Sequence, residues 1–331
     1  MFIIENYSTA VIFCVITMLC WGSWANTQKL ASSSWRFELF YWDYVLGILF
    51  MALLFAFTMG SMGTEGRSFL EDLQQADTAS LRSAFWGGIV FNAANILLVA
   101  AIGIAGMSVA FPVGIGLALV IGVIVNYLDA PIGNSTRLFY GVILIIFAIL
   151  LNAYAYRKKQ THQKGVSGKG LLLSVIAGAL MGLFYKYVAN AMFPDFKQPV
   201  AGKLSPYTAV FIFSIGILLS NIIFNSLLMR FPFVGAPVYY KSYFKGNFKT
   251  HLTGILGGMI WCIGMSFSII ASEKAGPAIS YGLGQGATIV AAIWGVFIWK
   301  EFKDAPKNIF TLLYVMLGFY ALGLALIISA R

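Results

Sequence analysis

Charge is scarce in this chain of 331 residues: Asp, Glu, Lys and Arg make up 10% of it, where a water-facing domain carries roughly 25%. So few charges cannot cover an aqueous surface of this size, and lipid must be the main solvent. Cysteine is nearly absent. Cys14, Cys20 and Cys262 each fall inside an apolar run, at spacings that fit neither a metal site nor a disulfide framework, and they read as small apolar packers. Histidine is reduced to His162 and His251, both near expected loops. No His-x-x-x-His or Asp-x-x-Asp cluster lies in an apolar run, which removes the usual metal ligands and the nucleophile–base pairs of a membrane-embedded enzyme. Gly165-x-x-Gly168-Lys169-Gly170 lacks both P-loop spacing and a Ser or Thr after the lysine. No nucleotide, metal or other cofactor is expected. Acid is the scarcer sign, 12 residues against 22 basic ones, for a net charge of +10. On a soluble fold that balance would suggest nucleic acid. Here the basic residues occupy short gaps between apolar runs, so membrane topology accounts for them and no nucleic-acid partner is expected.

What is abundant is apolar length: 60% of residues are apolar and mean hydropathy is +0.83. A helix needs about 20 residues to cross ~30 Å of hydrocarbon. Ten stretches qualify: 8–29, 38–59, 84–105, 107–128, 136–156, 170–193, 207–229, 251–272, 276–299 and 307–329. They are continuous rather than alternating, which excludes a transmembrane β-barrel. The expected fold is an all-α integral membrane protein of ten transmembrane helices, with connections too short for a soluble domain. Met1-Phe-Ile-Ile-Glu-Asn6 has neither a basic n-region nor a small-x-small cleavage site, so the first run is expected to be a retained helix. The gap at 60–83 carries Ser68-x-x-Glu71 ahead of Leu73, a capping-box pattern that fits a short interfacial helix as well as a solvated loop.

Basic residues divide unevenly between the two faces. Arg67, Arg82, Arg137, Lys197, Lys203, Lys274 and Arg331 fall on the face of the N-terminus. All the others except Lys186, including Arg157, Lys158, Lys159, Lys164, Lys169, Lys300, Lys303 and Lys307, fall on the other. The positive-inside tendency puts that second face in the cytoplasm and both termini outside. The chain also repeats itself. Gly87-Gly88 and Gly257-Gly258, Gly106 and Gly276, and Gly116 and Gly286 share one offset, and Leu46-Gly47-Ile48-Leu49 resembles Ile215-Gly216-Ile217-Leu218. Gly22 and Gly182 form a further pair. Two five-helix halves, 1–156 and 170–331, are therefore expected around a basic cytoplasmic linker, 157–169. Because five is odd, they would form an inverted 5+5 repeat, common among alternating-access carriers.

Several passages resemble the ureide permease family of the drug/metabolite transporter superfamily. They are Tyr41-Trp42-Asp43-Tyr44, Gly87-Gly88-Ile89-Val90 with Asn95, Gly106-Met107-Ser108-Val109 leading to Asn126-Tyr127, and Tyr207-Thr208-Ala209. Gln285 and Trp294-Gly295-Val296 leading to Glu301 complete a set that runs in order over nearly the whole chain. The superfamily also includes bacterial glucose/ribose-type sugar permeases. The resemblance implies ten helices, an inverted five-plus-five repeat, and secondary active uptake, often proton-coupled.

Candidate site residues follow from polarity inside the apolar runs. Lys186, flanked by Tyr185 and Tyr187, could donate to a solute, pair with an acid, or snorkel to the interface. Asp43 could carry a coupling proton, or make a local ion pair with Arg36 or Lys29. Asn26, Asn92, Asn95 and Gln285 offer both donors and acceptors, which suits a neutral polyol, urea or nucleobase, or else joins helices. Trp21, Trp24, Trp42, Tyr185, Trp261, Tyr281 and Trp294 could stack on a sugar or planar ring. Gly282-x-Gly284-x-Gly286 reads as close packing. The expected function is a secondary active transporter of a small neutral polar solute, ureide- or nucleobase-like or a monosaccharide, in a bacterial inner membrane. Its partners would be that solute, protons and lipid, and the chain would act as a monomer or homodimer. The alternatives are an exporter of the same superfamily and, from another class, a membrane-embedded enzyme.

Overall fold

A computed structural model describes residues 1–31, 35–105, 107–159, 168–300 and 307–331. Gly106, residues 160–167 of the expected linker with His162, Lys164 and Gly165, and Glu301 and Lys303 lie outside the described residues. The helices are α1 (Tyr7–Ser23), α2 (Asn26–Leu30), α3 (Phe37–Phe57), α4 (Phe69–Gln75), α5 (Thr78–Ala105), α6 (Met107–Asp129) and α7 (Ser135–Lys159). They continue as α8 (Gly168–Ala191), α9 (Pro206–Arg230), α10 (Tyr240–Tyr243), α11 (Phe248–Ala275), α12 (Pro277–Gly284), α13 (Ala287–Ile293) and α14 (Lys307–Ile328). A π-helical turn, Trp294–Ile298, extends α13. Among the described residues, extended pairing is limited to a bridge between Met192 and Leu204.

Local chemistry sets several of the starts. Asn6, Ser205 and Asn247 accept from the backbone N–H three residues on and cap α1, α9 and α11, and Pro206 sits at the first position of α9. The capping box forms at α4, where Glu71 Oε2 accepts from Ser68 N at 3.1 Å. These bonds hold the Glu71 carboxyl below its ordinary range. The 60–83 gap thus contains a short helix. It is tied down by Arg67, 3.0 Å from Asp72, and by Ser205 N donating to Asp72 Oδ2 at 2.7 Å.

Nine helices among the described residues are long and apolar enough to cross a membrane, and the described apolar part of α6, Val113–Asp129, is shorter. Large apolar side chains such as Phe50, Phe57, Ile223, Leu227 and Leu322 are exposed on the outside, where lipid is the solvent they suit. Both termini lie on one face. Phe2 N donates to Met59 O, Tyr207 OH to Phe2 O, and Asn134 N to Ala330 O. On the opposite face Trp299 Nε1 donates to Asn26 Oδ1, and Arg36 to Ala236 O.

The interior is held together by glycines that let backbones touch. A Cβ on Gly88 of α5 would meet Phe213 O of α9 at 2.1 Å, and one on Gly216 of α9 would meet Phe85 O of α5 at 2.2 Å. The same reciprocal contact joins α11 and α3: Gly258 meets Tyr44 O at 1.9 Å, and Gly47 meets Ile255 O at 2.1 Å. Lipid tails are as apolar as leucine, so such close van der Waals approach, rather than hydrophobic burial, supplies helix affinity in a bilayer.

Candidate functional site

The ninth apolar stretch is a crossing whose α-helical hydrogen-bond ladder is interrupted. Gly276 has φ +85° and ends α11, Pro277 opens α12, and the α-helical ladder breaks at Gln285-Gly286, where the backbone stays right-handed but the bonds shorten to three residues, before α13. The glycines serve both close packing and the break. A Cβ on Gly284 would strike Trp21 at 2.8 Å, and one on Gly286 would strike Met18 Sδ at 2.7 Å.

The second break faces a cavity of about 120 Å³ between α1, α5, α6, α8, α11 and α13. Trp21, Trp24, Phe91, Phe184 and Trp261 wall it, while Asn95, Gln285 and Thr288 supply its polar groups. Drug-sized ligands occupy pockets of about 300–1,000 Å³, so this one suits a small solute. Among the described residues, no charged side chain lines it. Trp21 stacks on Trp261 at 5.9 Å between centroids, and Phe91 packs at a tilt on Trp261 at 4.3 Å. Gln285 caps the break through its backbone, and its side-chain amide makes no hydrogen bond within the described residues and is not sealed in the interior. Asn95 donates from Nδ2 to Tyr41 OH at 3.1 Å, which leaves Oδ1 free to meet a solute.

Tyr41 is the hub behind Asn95. Its hydroxyl accepts from Asn95 and donates to Asn92 Oδ1 at 2.9 Å, and Asn92 Nδ2 donates in turn to Ser220 Oγ at 2.9 Å. Asn92 therefore positions the network and does not line the cavity. Tyr41→Phe strands the buried Asn92 Oδ1, at a cost of about 1–3 kcal/mol. A lower melting temperature, together with weaker solute binding because Asn95 is released, is expected. An unchanged melt would show that the hub carries no load.

A second polar cluster lies on the face away from the termini. Asp43, 1% exposed, sits in the second turn of α3. It accepts from Tyr243 OH at 2.7 Å, and its two carboxylate oxygens lie 2.9 and 3.1 Å from His251 Nδ1. Trp35 and Tyr243 pack edge-on to the imidazole. Burial, with the carboxylate adding to it, raises the Tyr243 phenol above its ordinary pKa and keeps it a donor. Arg36 forks onto Glu38, so the Arg36 pair weighed for Asp43 does not form.

The family model for ureide permeases matches residues 40–169 and 159–330. The chain belongs to the ureide permease family. It is a multi-pass membrane transporter of small solutes. It is 24% identical to Ureide permease 1 of Arabidopsis thaliana over 394 residues, covering 100% of this chain and 99% of that one. It is also 24% identical to the glucose uptake protein GlcU of Bacillus subtilis (strain 168), covering 68% of each chain. A protein known from a crystal structure shares the fold with a TM-score of 0.60 at 13% identity, covering 97% of this chain and 98% of that one.

Of the residues singled out in the sequence of this permease, Asn95, Gln285, Trp24 and Trp261 meet in the cavity, and Trp21 joins them. Tyr185 and Tyr281 do not. The Tyr185 hydroxyl is taken up by Ser268 and Ser280, and that of Tyr281 by the carbonyls of Ala118 and Met181. Lys186 lies near the terminal face, donating to Asp129 Oδ1 at 2.9 Å. Asn26 is at the opposite face, bonded to Trp299 and to Ser23 O. Sequence reasoning missed Phe91 and Phe184, indistinguishable there from lipid-facing phenylalanines, and the Asp43–His251 pair, separated by 208 positions.

Proposed function

We propose that this chain is a secondary carrier that takes up a small neutral polar solute, ureide- or nucleobase-like or a monosaccharide, in symport with a proton. One observation carries the reading: the interrupted ninth crossing presents the Gln285 amide, without a side-chain partner among the described residues, together with Asn95, to a small cavity walled by aromatic rings and lined by no described charged side chain. Broken helices at a mid-membrane cavity are a recurring device of secondary transporters. Amides can read the donor and acceptor pattern of a neutral solute, and flat aromatic faces suit a planar ring or a sugar. The names of the relatives, ureide permease and glucose uptake protein, agree with both solute classes.

Ten crossings arranged as two inverted halves, 1–156 and 170–331, are part of the same proposal, with α6 as the tenth. The reciprocal glycine contacts support it. An offset of 170 carries Gly88 to Gly258 and Phe85 to Ile255, and one of 169 carries Gly47 to Gly216 and Tyr44 to Phe213. Each α5–α9 contact thereby becomes an α11–α3 contact. Residence in a bacterial cytoplasmic membrane, with both termini outside, draws support from the basic excess on the face away from the termini.

A thermal-shift screen of the purified protein against allantoin, uracil, nucleosides and monosaccharides tests the solute class. A ligand at 100 times its Kd stabilises by about 2.7 kcal/mol. One class should shift the melt, and Gln285→Ala should weaken that ligand about tenfold, since one net hydrogen bond is worth about 0.5–1.5 kcal/mol. A ligand that binds Gln285→Ala as tightly as wild type would remove Gln285 from the site, and a silent screen would sink the ureide-or-sugar assignment.

A further inference from the structure

We propose that a second cavity, at the terminal face, is a separate binding site for a neutral solute rich in N–H or O–H donors, in series with the central one. The inference rests on the carrier reading above. This cavity, about 270 Å³, is formed where α6, α8, α11 and the start of α12 meet. Its polar lining is Asn126, Asp129, Asn190, Ser272 and Glu273, in which the Asn190 amide nitrogen is already spent on Asp129.

Asn126 points most directly to a ligand. The residue is 1% exposed, and its Nδ2 is spent on Gly122 O at 2.7 Å. Its Oδ1 has no partner among the described residues and is not sealed from the cavity it lines. An amide oxygen held this way is an acceptor that only the contents of the cavity can satisfy. The two carboxylates are already neutralised. Asp129 accepts from Lys186 at 2.9 Å and from Asn190 Nδ2 at 3.1 Å. Glu273, whose side chain is 4% exposed, accepts from Lys274 at 2.8 Å and keeps Oε2 without a partner. Each acid of the lining therefore has its own lysine, and a third, Lys203, donates to Asn190 O at 2.7 Å, so neither carboxylate stands as an uncompensated charge that would select a cation. Glu273 Oε2 is sealed from the cavity, so the acceptors that face it are Asn126 Oδ1 and the remaining lone pairs of Asp129 and Ser272, and a neutral molecule with several donors suits them.

The two cavities are distinct. On α11, Ser272 stands eleven residues beyond Trp261, about 16 Å along the axis at 1.5 Å per residue. The septum between them is closed by hydroxyls. Tyr185 OH reaches Ser268 O at 3.0 Å and Ser280 Oγ at 3.3 Å, and Ser280 Oγ donates to Ser268 O at 2.7 Å. On each of α8, α11 and α12 these residues lie between those that line one cavity and those that line the other. A solute arriving from the terminal face would meet the acceptor-rich cavity first.

Equilibrium binding of radiolabelled allantoin, a donor-rich ureide, to the detergent-purified full chain tests this. Wild type should show two classes of site. Asn126→Leu should remove one class, weakening it at least tenfold, and leave the other untouched, while Gln285→Ala should do the reverse. Asp129→Asn, isosteric with the native residue, guards against misfolding of the leucine variant and should weaken the same class as Asn126→Leu. A single class, lost in Gln285→Ala and indifferent to Asn126→Leu and Asp129→Asn, overturns the second site and leaves the central one standing. A single class with the opposite pattern upholds the terminal-face site and overturns the central reading.

Discussion

Gly258→Ala should cost the protein its native helix packing. The added Cβ would lie 1.9 Å from Tyr44 O and 2.8 Å from Ile48 N, both backbone atoms of α3 that cannot rotate away. Relief requires α3 and α11 to separate by more than 1 Å, which opens the interface that also seats Gly47 against Ile255. Overpacking of a well-fitted interior costs about 1–3 kcal/mol where side chains can yield, and more is expected here because only backbone is available to move. The melting temperature in detergent should fall by at least ~5 °C, on the scale of about 2–4 °C per kcal/mol for chains of some 200 residues. Gly88→Ala should fall by a similar amount, since it meets Phe213 O at 2.1 Å in the corresponding α5–α9 contact. Gly318→Ala, on the exposed side of α14 with nothing within 4 Å, is the control and should be neutral or slightly stabilising. Equal melts for Gly258→Ala and Gly318→Ala would show that the close helix approach is not there. A loss in Gly258→Ala without one in Gly88→Ala would count against the two halves being equivalent.

Nine of the ten expected crossings were legible in the sequence because bilayer thickness sets a minimum apolar length, and so was the capping box at Ser68–Glu71. Hydropathy gave no sign of the break at Gln285-Gly286. Gly282, Gly284 and Gly286 read as packing glycines, and two of them do pack, against Trp21 and Met18, yet the helix also stops there. Half of the candidate site was legible for a simple reason: an amide inside an apolar run has to bond to something, and Asn95 and Gln285 were found that way. The same reasoning named Tyr185 and Tyr281, but hydroxyls can be satisfied within the protein, and theirs are. Lys186 likewise has its acid, Asp129, at the end of a different helix. His251 stood at the very start of an apolar run and looked like a loop residue. Only the folded chain brings it beside Asp43.

That pair leads to the second large effect. Asp43→Asn is expected to abolish accumulation of solute against its gradient while leaving exchange of solute for solute intact. One proton entering with each solute molecule supplies about 1.4 kcal/mol per pH unit and about 2.3 kcal/mol per 100 mV of membrane potential. A gradient of one unit and 100 mV therefore supports accumulation of several hundredfold, and a carrier without a proton site only equilibrates. Asp43 has the attributes of such a site. Its carboxylate is buried, bonded to Tyr243 and His251, and reached from the face opposite the termini past a half-buried imidazole. The next residue, Tyr44, packs at a tilt against Trp24, which lines the central cavity, at 4.6 Å between centroids. Asparagine has the same shape and retains an acceptor for Tyr243, so the fold should survive and its melt should confirm it. Uptake into proteoliposomes under an imposed pH gradient, measured beside counterflow, separates the outcomes. Concentrative uptake that persists in Asp43→Asn and fails in His251→Asn would move the proton to the imidazole. Persistence in both would remove this cluster from coupling altogether.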